Sequence, residues 1–228
     1  MNLLLIAHGT RDPAGSVVTE RVAELARLRL GVAVHACYAD VRGPTPADVL
    51  AGLAGPAVAV PAFLAAGYHV RADVPEQLRA TGRTDVVLGE AFGPDPALVA
   101  AAERLAEAGA RPDDAVVLAV AASSDPQAQA DGARAARRLG RLLGKPVTLA
   151  PIVLGDRPGV ADVVARLRAE GACRVAVASW LLAPGLFQRN LESCGADVVG
   201  APLADHEAVL DVLAARYRSA MEGLSRPA

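Results

Sequence analysis

The sequence predicts an α/β fold of two similar flavodoxin-like lobes, each a four-stranded parallel sheet flanked by helices. Three observations support this prediction. Apolar runs of strand length alternate with helical patterns, several of these runs lack polar alternation, and the second half of the chain repeats motifs of the first. Uninterrupted apolar strands are typical of parallel sheets covered on both faces, and repeated β–α units connect through right-handed crossovers.

Eight strands are expected, four in each lobe. The helical stretches between them carry apolar residues three and four positions apart, as Val18, Val22 and Leu25 do in the first helix. The predicted strands span residues 3–7, 33–38, 57–61, 85–88, 115–121, 147–152, 174–179 and 197–199.

Two motifs recur in the same order along the chain. The run AHGTRDP at residues 7–13 aligns with VAASSDP at 120–126, and residues 63–69 align with 180–187 with one extra residue. Two matches in the same order indicate a duplicated half. We therefore expect one lobe at residues 1–110 and a second at 115–228, joined by a segment rich in Gly, Pro and Asp that suits a linker.

Composition excludes several classes of partner. The formal net charge of −2 disfavours nucleic-acid binding, so an acidic ligand would need local arginines. The apolar run after Met1 is far shorter than the roughly 20 residues that span a bilayer, and it lacks the features of a signal peptide. Cys37, Cys173 and Cys194 are odd in number and show no CxxC spacing, which fits the reducing cytoplasm. Together with the short apolar run, they predict a cytoplasmic protein without a membrane partner.

Two histidines follow predicted strands. His8 comes directly after the first strand, and His69 follows the third on a Gly67-Tyr68-His69 loop, ahead of a predicted helix with Asp73 at its N-cap. In flavodoxin-like order the first and third strands are neighbours, and a ligand crevice opens between them. The sequence therefore predicts one imidazole on each side of that crevice.

Two facing imidazoles suit metal chemistry. Neutral imidazole binds first-row divalent metals and accepts protons near neutral pH, and a site with few ligands suits a metal that must be passed on. Other polar residues have plainer interpretations. Asp40, at the end of the second strand, is a candidate to reach the crevice but is expected rather to be a satisfied loop carboxylate. His35 is expected to be a packed or edge-strand histidine, and His206 a solvated residue in the first turn of the last helix.

Three segments resemble the class II chelatases of the sirohydrochlorin type. They begin at His8-Gly9-Thr10-Arg11, at Gly67-Tyr68-His69 and at Gly93, and the resemblance covers most of the chain. It implies ATP-independent insertion of Fe²⁺ or Co²⁺ into sirohydrochlorin or a related tetrapyrrole, in siroheme or cobalamin biosynthesis. The divalent metal (Fe²⁺, Co²⁺ or Ni²⁺) would be a substrate, and no cofactor would be permanently bound.

The resemblance also implies roles for particular residues. His8 and His69 would bind the metal and act in catalysis, in the first lobe only, because Ala121 and Phe187 stand at the matching positions of the second. A monomer and a homodimer both remain open. The tetrapyrrole carries many carboxylates, which arginine forks bind well. The candidates for contacting it are Gly9, Thr10, Arg11, Arg42 and Arg71.

Two other functions are compatible with the fold. A non-catalytic carrier of tetrapyrrole or metal would need the same histidines. A phosphohistidine-type phosphatase would need an arginine immediately before His8, where Ala7 stands, and would lack that charge-assisted phosphate contact. Residues 140–145 fail the phosphate-loop pattern because Pro146 follows Lys145, so a nucleotide is not expected.

Overall fold

The computed structural model describes residues 1–93, 97–153 and 158–224. Strands and helices alternate along the chain, with one π turn before the third helix. The strands are β1 Asn2–Ala7, β2 Ala33–Tyr38, β3 Ala57–Pro61, β4 Val86–Leu88, β5 Ala115–Ala121, β6 Val147–Ile152, β7 Val175–Trp180 and β8 Val198–Val199. The helices are α1 Pro13–Leu30, α2 Pro46–Ala51, α3 Val74–Ala80, α4 Leu98–Glu107, α5 Pro126–Leu143, α6 Val160–Ala169, α7 Leu186–Glu192 and α8 Glu207–Leu224, and the π turn is His69–Asp73.

The strands form two parallel four-stranded sheets of the same topology. Their orders are β2-β1-β3-β4 and β6-β5-β7-β8, and every paired strand is parallel. The eight strands match the predicted ones within one residue at each end. The predicted α/β class with two similar lobes is therefore confirmed.

Matching helix ends confirm that the two halves are alike. Helices α1 and α5 each have 18 residues and begin at a proline after an aspartate N-cap. The carboxylate of Asp12 accepts from the Ala14 N–H at 3.0 Å, and that of Asp125 accepts from the Gln127 N–H at 2.8 Å. Both helices end at a glycine in the left-handed region, which lacks the Cβ that would make this conformation costly.

The compact units of the chain differ from the predicted lobes. One unit comprises residues 1–93 and 204–228, and the other residues 94–203, rather than 1–110 and 115–228. The difference comes from two helices, because α4 packs on β7 and α5 whereas α8 packs on α1 and β3. Both helices bury apolar faces, including Leu105 of α4 and Leu213 of α8. The periodicity that reveals such a face does not tell which sheet it covers.

Aliphatic residues form the core of each unit. In the first, Leu4, Ile6 and Ala59 lie under α2 and α3, and in the second, Val117 and Val177 pack against α6 and α7. Among the residues described, no helix combines the length and apolar character that would cross a membrane.

A buried carboxylate stabilises the start of the second sheet. The Asp114 side chain is fully buried, accepts from the Arg174 Nε at 2.9 Å and accepts from the Arg111 backbone N–H at 2.9 Å. Burial acts to raise the pKa of Asp114. The hydrogen bonds from Arg111 and Arg174 outweigh that effect, so the pKa lies below its ordinary value of 3.8.

We expect Asp114→Asn to lower the free energy of unfolding by about 2–4 kcal/mol at pH 7, because the fully buried side chain loses its charge and one of its two donors loses its acceptor. The ionised carboxylate stabilises the fold fully above its unfolded-state pKa, and this contribution disappears as pH falls through the lower folded-state value. The difference between variant and wild type should therefore shrink from pH 7 to pH 3 in urea denaturation. The exposed neighbour provides a control, Asp113→Asn, which should change stability little at either pH.

Candidate metal centre

Three segments meet at the carboxyl edge of the first unit's sheet. His8 follows β1, Asp40 comes shortly after β2, and His69 starts the π turn after β3. Strand β1 lies between β2 and β3, so the three strand ends are adjacent. The backbone pairing continues past the strands, because the Asp40 N–H donates to the His8 carbonyl at 3.0 Å. The topology therefore brings these three side chains to one place.

The two imidazoles contact each other nearly at right angles. The ring centroids of His8 and His69 are 4.7 Å apart, with 86° between the ring planes. One potential ligand atom from each of His8, Asp40 and His69 lies within 4.8 Å of the other two. Ligands about 2.1 Å from one ion stand roughly 3–4 Å apart, so small side-chain rotations would close the group around a divalent cation.

Hydrogen bonds define which nitrogen of each imidazole can bind a metal. The Nδ1 of His8 lies 3.1 Å from the Gly9 carbonyl oxygen, and the Nδ1 of His69 lies 2.7 Å from an oxygen of Asp73. The Gly9 carbonyl oxygen and the ionised Asp73 carboxylate can accept a hydrogen bond but cannot donate one. The Nδ1 of each histidine must therefore carry the proton. The Nε2 lone pairs remain available as ligands or as proton acceptors.

The π turn gives Asp73 a role different from the predicted one. Asp73 was expected to cap the following helix, but its backbone is helical and its side chain makes no capping hydrogen bond. The turn at His69–Asp73 instead places the carboxylate beside the His69 ring. Burial acts to raise the pKa of Asp73, whereas hydrogen bonds from His69 and Gln77 lower it, and the net pKa lies below the ordinary value.

Asp40 contributes more than a loop hydrogen bond. Its Oδ1 accepts from the Val41 N–H at 2.7 Å, as expected of a satisfied loop carboxylate. The side chain is nevertheless exposed, and one of its oxygens lies within 4.8 Å of a ring nitrogen of each histidine. Its position shortly after β2, the neighbour of β1, is the signal in the sequence that places it beside His8.

We expect Asp40→Asn to weaken Co²⁺ binding about tenfold, because the amide keeps the turn to Val41 but lacks the anionic oxygen that a divalent cation prefers. Titration of the metal-free protein, followed by the visible absorption of Co²⁺, measures this effect. Asp113→Asn, the same change in the other unit, should leave the affinity unchanged. Equal affinities for Asp40→Asn and wild type would exclude Asp40 as a ligand.

Aromatic rings line the histidine pair. Phe63 stacks on His69 with ring centroids 6.1 Å apart and meets His8 edge-on at 6.2 Å. Tyr68 is 65% exposed and meets His69 edge-on at 5.9 Å. The donors therefore lie beside an apolar surface that could receive a flat ligand.

The predicted substrate-contacting residues lie on the same segments as the three potential ligands, next to His8, Asp40 or His69 along the chain. Gly9 is at φ +98°, and Thr10 accepts from the Asp12 N–H at 3.1 Å. Arg11, Arg42 and Arg71 are all exposed. The Arg42 guanidinium lies 5.0 Å from the centroid of the Tyr38 ring, and the Arg71 Nε donates to the Ala66 carbonyl at 3.0 Å.

The remaining histidines lie outside the group. His35 lies within the edge strand β2. His206 was expected to be a solvated first-turn residue, but its Nδ1 accepts from the Ala208 N–H at 3.2 Å at the start of α8. In the second unit, Ala121 is exposed at the end of β5, and Phe187 packs against the core. Residues 94–96, within the third segment of the family resemblance, lie outside the described residues.

Comparison with known proteins identifies the family. The sequence profile of the CbiX family matches residues 2–108. A sirohydrochlorin cobaltochelatase of Methanosarcina acetivorans is 35% identical over 80 residues, 33% of this chain and 62% of that protein, so the chain spans under two thirds of this relative. One of Methanococcoides burtonii is 34% identical over 90 residues, 37% of this chain and 69% of that protein. The chain belongs to the CbiX family of sirohydrochlorin chelatases.

The fold of the whole chain has a solved counterpart. SirB from Bacillus subtilis, determined with Fe³⁺, superimposes with a TM-score of 0.79 at 21% identity, covering 99% of this chain and 97% of that one. The likeness extends over both units, so the two-sheet architecture is that of this solved structure.

Proposed function

We propose that the protein inserts a divalent metal, Fe²⁺ or Co²⁺, into sirohydrochlorin or a related tetrapyrrole, and that it needs no ATP. The observation that carries this proposal is the group formed by His8, Asp40 and His69, whose donor atoms lie within 4.8 Å of one another at an exposed sheet edge. Its family relatives are named for insertion of cobalt into sirohydrochlorin.

An incomplete ligand set suits a metal that must leave. Three protein donors hold a first-row ion less tightly than a closed four-ligand site and leave positions for the incoming pyrrole nitrogens. Insertion also releases two N–H protons from the macrocycle. As the metal leaves His8 and His69, each Nε2 regains a lone pair that can accept one of these protons. Metal release and proton uptake would thus occur on the same atoms.

Binding of the macrocycle is proposed to use the surface around the donors. Phe63 and Tyr68 offer aromatic contacts, and the exposed Arg11, Arg42 and Arg71 offer charge to carboxylates. Gly9 and Thr10 would contribute backbone contacts beside His8. We place the protein in the cytoplasm, where its three free cysteines would stay reduced.

Steady-state insertion tests the proposal. The full chain is mixed with sirohydrochlorin and Fe²⁺, Co²⁺ or Ni²⁺ under anaerobic conditions, and the visible absorption of the tetrapyrrole is followed with and without ATP. Many turnovers per protein, above the uncatalysed rate and independent of ATP, are expected. Formation of one equivalent of product or complex and no more would instead identify a carrier.

A further inference from the structure

We infer that Asp73 and Gln77 are positioning residues for His69, and that Gln77 couples His69 to the segment that carries Asp40. The inference rests on the proposed metal binding by His69 and Asp40. Neither positioning residue needs to touch the metal.

The contacts form a continuous path. One carboxylate oxygen of Asp73 lies 2.7 Å from the His69 Nδ1, and the other accepts from the Gln77 Nε2 at 2.9 Å. The same Gln77 nitrogen donates to the Ala39 carbonyl at 2.8 Å. Ala39 immediately precedes Asp40, whose N–H donates to the His8 carbonyl. The Gln77 amide thereby connects His69 to the backbone segment that carries Asp40 and pairs with His8.

Both hydrogens of the Gln77 amide and both oxygens of the Asp73 carboxylate take part in these hydrogen bonds. The Gln77 amide nitrogen has two hydrogens, and Asp73 and Ala39 accept one each. Asp73 uses one oxygen for each neighbour, and its side chain is only 24% exposed. The Asp73 carboxylate can therefore rotate little without losing a bond to His69 or to Gln77.

The contact between Asp73 and the His69 Nδ1 sets the tautomer of His69 and thereby which nitrogen can bind the metal. A carboxylate that accepts from Nδ1–H keeps the Nε2 lone pair exposed and increases its basicity, and loss of such a partner typically lowers metal affinity 10–100-fold. The connection to Ala39 adds a second effect, since it fixes the position of His69 relative to Asp40. A merely structural role at the start of α3 would affect neither the tautomer nor the affinity.

Asp73→Asn tests the tautomer directly. Asparagine offers one acceptor and one donor where aspartate offers two acceptors, so either His69 or Gln77 must change its contact. Ring ¹⁵N NMR of the metal-free full chain, at a pH where the imidazole is neutral, reports which nitrogen carries the proton. We expect Nδ1–H in the wild type, a shift toward Nε2–H in Asp73→Asn, and Co²⁺ affinity lowered 10–100-fold.

Gln77→Met tests the coupling with the tautomer preserved. Methionine matches the length of glutamine but donates no hydrogen bond, so the His69 tautomer should stay. Co²⁺ affinity should fall about three- to tenfold, less than the 10–100-fold loss expected when His69 loses its direct partner. The matched control is Gln188→Met on α7 of the second unit, a buried glutamine bonded to Ser179 and Gly200. That variant should lose thermal stability but keep wild-type Co²⁺ affinity.

The outcomes separate this inference from the proposed function. Unchanged ring ¹⁵N shifts in Asp73→Asn, or Co²⁺ affinity within twofold of wild type in both variants, would overturn the positioning role. If Asp73→Asn fails to fold, the comparison of Gln77→Met with Gln188→Met decides alone. If both variants bind Co²⁺ more weakly than the wild type, but the wild type never turns over sirohydrochlorin, the proposed insertion is refuted and the positioning role stands.

Discussion

His8→Ala is expected to abolish metal insertion, and His69→Ala to reduce it severely. Each change removes one of the three donors within 4.8 Å of one another, together with the lone pair proposed to accept a pyrrole proton. Loss of a direct ligand should exceed the 10–100-fold effect of losing an outer partner, so Co²⁺ affinity should fall on the order of 100-fold or more. A 100-fold loss corresponds to about 2.7 kcal/mol of binding free energy.

Turnover and Co²⁺ titration, each on the full chain, provide the measurements. His206→Ala removes an imidazole of the same unit that serves the start of α8, so this control should retain insertion and affinity. Thermal unfolding should show that His8→Ala remains folded, because His8 is exposed. Turnover near the wild-type level in both site variants would disprove the assignment.

The strands and their order could be predicted because buried parallel strands carry their own signal. Each is a short apolar run, and the repeated motifs beginning at Ala7 and Val120 imply that both halves share one topology. That topology predicts that His8 and His69 follow adjacent strands, β1 and β3. The 4.7 Å between their ring centroids agrees with it.

Features that depend on the course of the backbone between elements could not be predicted. The sequence Asp73-Val74-Pro75-Glu76 has the composition of a helix start, which predicts that Asp73 caps α3. The preceding turn is instead a π turn, which has one residue more than an α-helical turn, and it directs the Asp73 carboxylate toward His69. Helices α4 and α8 are a second case. Each has an apolar face that either sheet could cover, so the compact units depend on packing that periodicity does not encode.

Gly9→Ala is expected to damage the metal group although it adds only one methyl group. The backbone of Gly9 is at φ +98°, and a Cβ there would lie 2.3 Å from the carbonyl oxygen of Asp40, more than about 1 Å inside ordinary contact distance. Because that oxygen belongs to the backbone, the Asp40 segment must move away from His8. We expect a stability loss of about 2–4 kcal/mol and Co²⁺ affinity at least tenfold lower.

Gly31→Ala separates backbone strain from collision. Gly31 is also in the left-handed region, at φ +67°, but a Cβ there meets nothing within 4 Å. Its replacement should cost only the conformational strain, about 1–2 kcal/mol, and leave Co²⁺ affinity unchanged. If Gly9→Ala bound Co²⁺ as tightly as Gly31→Ala, the close approach of His8 and Asp40 would not matter for the metal. A lower affinity for Gly9→Ala alone, measured where both variants are folded, would show that Gly9 is needed because it lets the two ligand-bearing segments lie in contact.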